Sequence, residues 1–392
     1  MKEPACNYEN ADIDEKIMQK RVLKVWENTV DIYGAPLSFP LSLVPDHKKI
    51  TAEFLIENIE YAFETLEFPW TSHLSFEQFC EYVLPYRFGD EPLESWRPFF
   101  MDRYKWVIDS LTDKSDPVEV CTLINNDISS WLMEWGGVVY KKYPRCLTPS
   151  QLTKCKISYC YQQAASASFA MRAMGLAVAH NRIPQWGSRS TGHEFSSVLS
   201  NSGRFVDFLG GVLPPGKNEF PQKAPKIYSE IFSVRPPSAK KKENELPLNF
   251  NLSNQIDVTD QFVPTATVLI NLSGKVPAAV KVVYLCVFDN KNWVPVQYTH
   301  IKREKCIFHS MGRDIVYLPV YYKNGRPVPA GDPFVLSKSG TIRKINPDNQ
   351  LRQPMTLYRK YPLSPHMKDY ACLLYTSPSP RDRTRSRMPS SA

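Results

Sequence analysis

The spacing of the apolar residues changes once along this chain of 392 residues, and this change restricts the fold more than any other feature. Before about residue 174, apolar side chains recur at intervals of three and four, which is the period of an amphipathic α-helix. From residue 176 onward they occur in short alternating runs bounded by turn residues, which is typical of β-strands. The sequence therefore predicts an α+β protein in which helices come first and antiparallel strands follow.

The region from residue 1 to 145 is predicted to be helical. Thr51 suits the N-cap of a first helix, because its side-chain oxygen can accept a hydrogen bond from a first-turn N–H group. Asp116 and Pro117 are the residue types of a cap and a first-turn proline, so they indicate another helix start. Apolar periodicity predicts four helices in this region, at about residues 51–69, 75–84, 96–110 and 117–134.

A core region, residues 146–235, is predicted to combine helices with a hairpin. Thr148 and Gln151 have the spacing of a capping box. Cys160 begins a helix rich in Ala and Ser, whose small side chains allow close packing, and Gly175 is predicted to end it in the left-handed conformation. A strand and a hairpin are predicted to follow, from residues 176–180, 193–200 and 204–210.

A polar segment rich in Pro and Lys separates this core region from the rest of the chain. It spans residues 236–250 and is predicted to link two domains. Beyond it, short alternating segments between residues 251 and 371 predict an antiparallel β-sandwich.

Three residues on the core elements can together activate a thiol. Cys160 begins a helix, where partial positive charge stabilises a thiolate. His193 begins a strand and Asp207 lies on the next one, and a histidine held by a carboxylate can serve as the base for such a nucleophile. A turn centred on Ser202 places Asp207 opposite Ser197, however, so that a bulge or a shifted turn is needed to bring Asp207 to His193.

The order and spacing of these residues resemble the core of bacterial transglutaminase-like proteins. The matching motifs are Cys160, Arg172-Ala173-Met174-Gly175, Pro184-Gln185-Trp186-Gly187, Gly192-His193 and Asp207-Phe208. Upstream and downstream segments resemble the helical segment and the β-rich domain of a multidomain subgroup, at residues 79–87, 96–97, 284–288 and 313–322.

The resemblance implies a papain-like cysteine-enzyme core with Cys160 as nucleophile, His193 as base and acid, and Asp207 as the group that orients His193. The implied reaction is acyl transfer through a thioester, either deamidation or cross-linking of glutamine side chains or hydrolysis of peptide amides. No cofactor or metal is expected, and the partner is a protein, a peptide or a glycan. The resemblance also implies export to the periplasm or cell surface, although the sequence begins without the apolar segment of a signal peptide.

Three further residues are predicted to line the substrate cleft, namely Trp186, Tyr159 and Gln151. The oxyanion donors are expected to be the backbone N–H group of Cys160 and one upstream side chain, for which Gln151 is the candidate.

Other interpretations of the site remain open. Cys155 is a rival nucleophile, but it precedes the helix that Cys160 begins. His180 follows a buried strand and is interpreted as a structural histidine. Tyr159 stands close to where the family usually has a glycine, which favours a catalytically inactive transglutaminase-like fold that binds a peptide or a glycan.

The last 21 residues, 372–392, must be assigned before the net charge of the chain can be interpreted. Residues 372–382 read CLLYTSPSPRD, which is the translation of a common sequencing-library adaptor, and the frame continues through residue 392. We therefore expect residues 372–392 to derive from an adaptor. Without their four Arg and one Asp, the net charge falls from +8 to +5. Such a mild charge gives no indication of a nucleic-acid partner, and no apolar run is long enough to predict a transmembrane segment.

The adaptor assignment can be tested by sequencing the locus with a method that uses different adaptors. We expect the reading frame to continue differently after about residue 371. Recovery of residues 373–392 unchanged would show that the tail is native.

Overall fold

A computed structural model describes eight stretches of the chain, at residues 44–134, 146–220, 222–233, 254–272, 276–277, 279–289, 292–302 and 305–345. The predicted linker at residues 236–250 and the adaptor-like tail at residues 372–392 lie outside these stretches. The described residues combine helices with mainly antiparallel sheets, so the α+β class predicted from the sequence is confirmed.

The helices of the first region begin where the sequence places its caps. Thr51 Oγ1 accepts a hydrogen bond from the N–H group of Phe54 at 3.2 Å, and the Asp116 carboxylate accepts one from Val118 at 2.8 Å. The helix predicted at residues 96–110 is divided into two. None of the described helices is long and apolar enough to cross a bilayer. The helices are α1 Ala52–Glu64, α2 Phe76–Tyr82, α3 Arg97–Tyr104, α4 Val107–Ser110 and α5 Pro117–Trp131.

Two helices of the core region, α6 (Pro149–Cys155) and α7 (Cys160–Ala173), also follow the sequence signals. The capping box is present, because the N–H group of Thr148 donates to Gln151 Oε1 at 2.9 Å and that of Gln151 donates to Thr148 Oγ1 at 3.3 Å. Every residue of α7 after Cys160 is buried, which its small side chains allow. Gly175 follows the helix with φ of +74°, as predicted.

The main sheet of the core region packs against α7. Its strands are β3 Val178–Ile183, β4 His193–Leu199, β5 Phe205–Phe208, β6 Tyr228–Glu230 and β7 Gln255–Asp257. All are antiparallel to their neighbours, and their order in the sheet is β5-β4-β3-β6-β7. The last strand lies beyond the predicted linker, so residues 255–257 complete this sheet although the sequence assigned them to the β-sandwich. A short parallel pair of strands precedes this sheet in the chain, β1 Met133–Glu134 and β2 Ile157–Ser158.

The remaining strands form two sheets that share one hydrophobic core. The strands are β8 Thr265–Asn271, β9 Val282–Phe288, β10 Trp293–His300, β11 Lys305–Gly312, β12 Ile315–Lys323, β13 Arg326–Pro329, β14 Phe334–Leu336 and β15 Ile342–Lys344. The larger sheet has the order β10-β9-β12-β14-β15, and β13 also pairs with β12. The smaller sheet pairs β11 with β8. Buried residues of both sheets, such as Phe308 of the smaller and Leu285 of the larger, belong to the same apolar cluster. The short helix α8, Thr259–Phe262, precedes these strands in the chain.

A buried lysine connects the core sheet to the smaller of these sheets. The Lys226 ammonium group is fully buried, pairs with Asp257 of β7, and donates hydrogen bonds to the carbonyl oxygens of His309 at 2.9 Å and Ser310 at 3.0 Å. Both carbonyls belong to β11. A buried ammonium group needs such partners, because an unpaired charge in the interior is very unfavourable.

Two buried arginines connect the helical region to α7. Arg97 donates to Asn58 Oδ1 at 2.6 Å and to the carbonyl oxygens of Arg172 and Val83 at 3.0 and 2.6 Å. Arg172 donates to the carbonyl oxygens of Tyr82 and Arg87 at 3.1 and 2.9 Å. Both guanidinium groups therefore satisfy main-chain acceptors at the end of α2, between α2 and α3, and at the end of α7.

Arg97→Ala should destabilise the protein strongly, because several buried acceptors lose their donor. Each unpaired buried group costs on the order of 1–3 kcal/mol, so the free energy of unfolding should fall by at least about 3 kcal/mol. The measurement is urea unfolding at neutral pH. Arg103→Ala on the same helix is the control, since its ion pair with Asp127 is partly exposed and such pairs contribute about 0–1 kcal/mol. Equal losses in the two variants would contradict this account.

Candidate functional site

Cys160 occupies the position that the sequence predicts for a reactive thiol. It is the first residue of α7, and its side chain is half-buried whereas the residues after it are buried. The rival Cys155 is the last residue of α6. Because the C-terminal end of a helix carries partial negative charge, it disfavours a thiolate at Cys155 and the helix start favours one at Cys160.

His193 lies at the end of the core sheet that is nearest to the start of α7. The strand β3 follows α7 through the turn at Gly175 and runs back along the helix. Ile183, at the far end of β3, is paired with His193. The topology thus brings Cys160 and His193 to the same end of the core region.

The side chain of His193 nevertheless lies on the sheet face that is turned away from α7. Its ring stacks on Trp186 at a centroid distance of 5.6 Å and on Phe195 at 6.2 Å. Successive side chains of a strand alternate between faces, and Val198 of the same strand packs with α7 residues while Phe195 packs with Trp186. Burial lowers the pKa of His193 to about 4, so the imidazole is neutral at neutral pH.

Asp207 is not brought to His193. The hairpin register pairs Asp207 with Ser197, and the pairs from Leu199 to Ser196 follow one another without a bulge. Four residues of β4 therefore separate the two positions, which corresponds to about 13 Å along a strand. Burial raises the pKa of Asp207, and the amide of Asn218 acts in the opposite direction. The carboxylate that the sequence assigns to orient His193 is thus too far along the sheet to contact it in this register.

His180, and not His193, lies between two carboxylates. Its Nε2 atom lies 3.1 Å from Glu194 Oε2, and its Nδ1 atom lies 3.2 Å from Glu230 Oε2. Burial acts to lower the pKa of His180, but the charge of Glu230 and the hydrogen bonds to both carboxylates outweigh it and raise the pKa to about 9. A histidine held between two carboxylates is a structural group, which agrees with the interpretation of His180 from the sequence. Glu230 was missed there because it follows His180 by fifty residues.

The three predicted cleft residues have packing or capping contacts. The Trp186 indole is only 4% exposed and covers His193. Tyr159 is the N-cap of α7 and packs partly against the core. The carbonyl oxygen of the Gln151 side chain accepts the capping hydrogen bond from Thr148, so Gln151 serves the start of α6.

The glycines of the predicted motifs are explained by close contacts. A Cβ atom on Gly187 would lie 2.8 Å from Ile315 of β12, and one on Gly192 would lie 2.9 Å from the carbonyl oxygen of Pro184. Both distances are shorter than side chains tolerate. These motif positions therefore serve chain packing in the segment that precedes His193.

Within the stretches that the structure describes, no cluster of three His, Cys, Asp or Glu side chains is arranged to hold a metal ion. Comparisons with models of protein families, with curated proteins and with solved structures gave no match.

The contrast between the two histidines predicts how stability depends on pH. The pKa of His180 is about 9 in the folded protein and about 6.5 in an unfolded chain. Its contribution, on the order of 3 kcal/mol, is therefore complete below pH 6.5 and is lost as the pH rises to 9. The free energy of unfolding lost in His180→Gln should be larger at pH 6 than at pH 9.5.

The control for this measurement is His193→Gln. Because the pKa of His193 is about 4 in the folded protein and about 6.5 in an unfolded chain, the ring is neutral in both states from about pH 7.5 to 9.5. The effect of His193→Gln should therefore be constant over that interval, whereas the effect of His180→Gln should fall across it. A constant effect of His180→Gln would show that no imidazolium is stabilised between the two glutamates.

Proposed function

We propose that this protein is a thiol acyl-transfer enzyme of the transglutaminase-like type, with Cys160 as its nucleophile. The observation that carries the proposal is the position of this half-buried thiol on the first residue of a helix that is otherwise buried. The partial positive charge of a helix start stabilises a thiolate, and a thiolate is the reactive form of cysteine.

In the proposed reaction, the Cys160 thiolate attacks the carbonyl carbon of an amide and forms a carbon–sulfur bond. The amine then leaves with a proton that His193 first took from the Cys160 thiol, and a thioester remains. Water or a second amine next attacks the thioester, gives a proton to His193 and releases the thiolate, which completes deamidation, hydrolysis or cross-linking. The substrate class is a glutamine side chain or a peptide bond.

His193 is the proposed proton carrier in these steps. It lies at the same end of the sheet as Cys160, and its neutral imidazole can accept a proton at neutral pH. The ring stacks on Trp186 on the other face of the sheet. Proton transfer therefore requires the ring to leave Trp186 and turn toward the start of α7, and this movement is part of the proposal.

The register of the β4–β5 hairpin favours a second candidate function. With Asp207 opposite Ser197 and away from His193, no carboxylate of β5 orients the imidazole. A catalytically inactive transglutaminase-like fold that binds a peptide or a glycan would need no such orientation. The two candidates differ in whether Cys160 turns over an acyl substrate.

The reactivity of Cys160 is the first test. Iodoacetamide at pH 7 should label Cys160 at least about tenfold faster than Cys80, because the helix start lowers the pKa of a thiol. Cys80 is a matched control, since it is also half-buried but lies late in α2. Burial raises the pKa of Cys121, Cys286 and Cys306, so these thiols should react slowly. Mass-spectrometric mapping that finds Cys155 labelled before Cys160 would identify Cys155, and not Cys160, as the nucleophile.

Turnover on a library of glutamine peptides is the second test. Cys160→Ala should abolish deamidation and hydrolysis, and His193→Gln should lower kcat by about 10² or more, the usual contribution of a general base. Asp207→Asn should change kcat by less than about tenfold, because the register keeps this carboxylate from the ring. If the wild-type protein binds peptides without any turnover, the binding function replaces the enzymatic one.

A further inference from the structure

The side chain of Gln163 is buried in the first turn of α7 without a partner for its amide. It is only 3% exposed, and its Nε2 atom has no hydrogen-bond partner among the described residues. Buried side-chain amides are normally paired, so an unpaired one requires an explanation. The next residue back shows the ordinary arrangement, since Gln162 Oε1 accepts a hydrogen bond from the N–H group of Tyr159 at 3.3 Å.

The position of Gln163 on the helix places its side chain on the same face as that of Cys160. The two residues are three apart on α7, so their side chains lie on the same face of the helix. Side chains of a helix also lean toward its N-terminus and cover the preceding turn. The unpaired amide of Gln163 therefore leans over the turn that Cys160 begins.

The contacts of the same helix face fix this geometry. The N–H group of Gln163 donates to the carbonyl oxygen of Tyr159 at 3.0 Å, which holds the backbone of the first turn. Gly210, just after β5, lies very close to this part of α7. A Cβ atom on Gly210 would collide with the carbonyl group of Gln163 and would lie 2.9 Å from the Cβ atom of Ala167. The backbone of Gln163 thus has little room to shift, while its amide has no acceptor within the part of the chain that the structure describes.

We propose that the side-chain amide of Gln163, which is buried in the protein without substrate, is uncovered when substrate binds at Cys160 and donates a hydrogen bond to the oxygen of the acyl group that Cys160 attacks. The inference rests on the proposed function and adds to it the group that stabilises the oxyanion. It replaces Gln151, the upstream candidate of the sequence analysis, whose carbonyl oxygen is used to cap α6.

The step that Gln163 assists conserves atoms and charge. The thiolate forms a bond to the carbonyl carbon while the π electrons of the carbonyl group move to its oxygen. The oxygen becomes an anion, and the Nε2–H group of Gln163 acts as its donor. When the carbonyl group re-forms, the bond to the leaving group breaks and the thioester remains.

The test compares two reagents that attack the same thiol through different transition states. Iodoacetamide reacts by displacement at a saturated carbon and forms no oxyanion, whereas p-nitrophenyl acetate acylates through an oxyanion and releases p-nitrophenolate. Gln163→Met keeps the length of the side chain and removes the donor. The acylation rate constant of Cys160 should fall by about 10² or more, and its alkylation rate constant should change by less than about twofold.

Two further variants separate this role from a structural one. Ser168→Ala also removes a buried, unpartnered polar group of α7, but two turns away from Cys160, and it should leave both rates unchanged. Gln163→Asn keeps a side-chain amide but shortens the side chain by one methylene group. The acylation rate constant of this variant should fall as in Gln163→Met, while its alkylation rate constant should not change. Thermal unfolding is measured for each variant, and the Asn variant replaces the Met variant if the latter fails to fold.

The outcomes distinguish the two proposals. Equal acylation rates in the wild-type protein and Gln163→Met, or a parallel loss of both rates, would overturn the role of Gln163 and leave Cys160 as the nucleophile. A wild-type Cys160 that reacts with neither reagent would overturn the proposed function, and the role of Gln163 with it.

Discussion

Hydrogen bonds from two buried guanidinium groups to main-chain carbonyls hold α7 in the position on which the rest of the protein depends. Arg97 binds the carbonyl group of Arg172 and that of Val83, while Arg172 binds those of Tyr82 and Arg87. The end of α7 and the segment between α2 and α3 are therefore joined through groups that water cannot reach. Since the core sheet packs on α7, these bonds also determine where the sheet lies relative to the helical region.

The same helix explains why residues that resemble a family motif serve mainly the architecture. Arg172 satisfies backbone acceptors, Gly187 leaves room for Ile315, and Trp186 covers His193. Such residues specify how the helix, the sheet and the following domain pack. Whether the thiol at the start of the helix is catalytic depends on side chains whose positions the motif alone does not determine.

Two histidines on neighbouring strands show how strongly surroundings control chemistry. His180 lies between Glu194 and Glu230, and its pKa is raised to about 9, whereas His193 is half-buried against aromatic rings and its pKa is lowered to about 4. One is therefore charged and the other neutral at the same pH. The charged ring stabilises the sheet, and the neutral ring remains able to accept a proton.

The sequence by itself determined the features that depend on neighbours along the chain, namely the caps at Thr51 and Thr148, the helix start at Cys160 and the turn at Gly175. Turn length also set Asp207 opposite Ser197, which is the register that the predicted contact of Asp207 with His193 needed a bulge to overcome. Only the tertiary structure decided that β7 joins the core sheet, that Glu230 reaches His180, that the ring of His193 faces away from α7 and that the amide of Gln163 has no partner among the described residues. The physical reason is that these features depend on which face of a strand or helix is buried against elements distant in the sequence, and local spacing leaves that choice open.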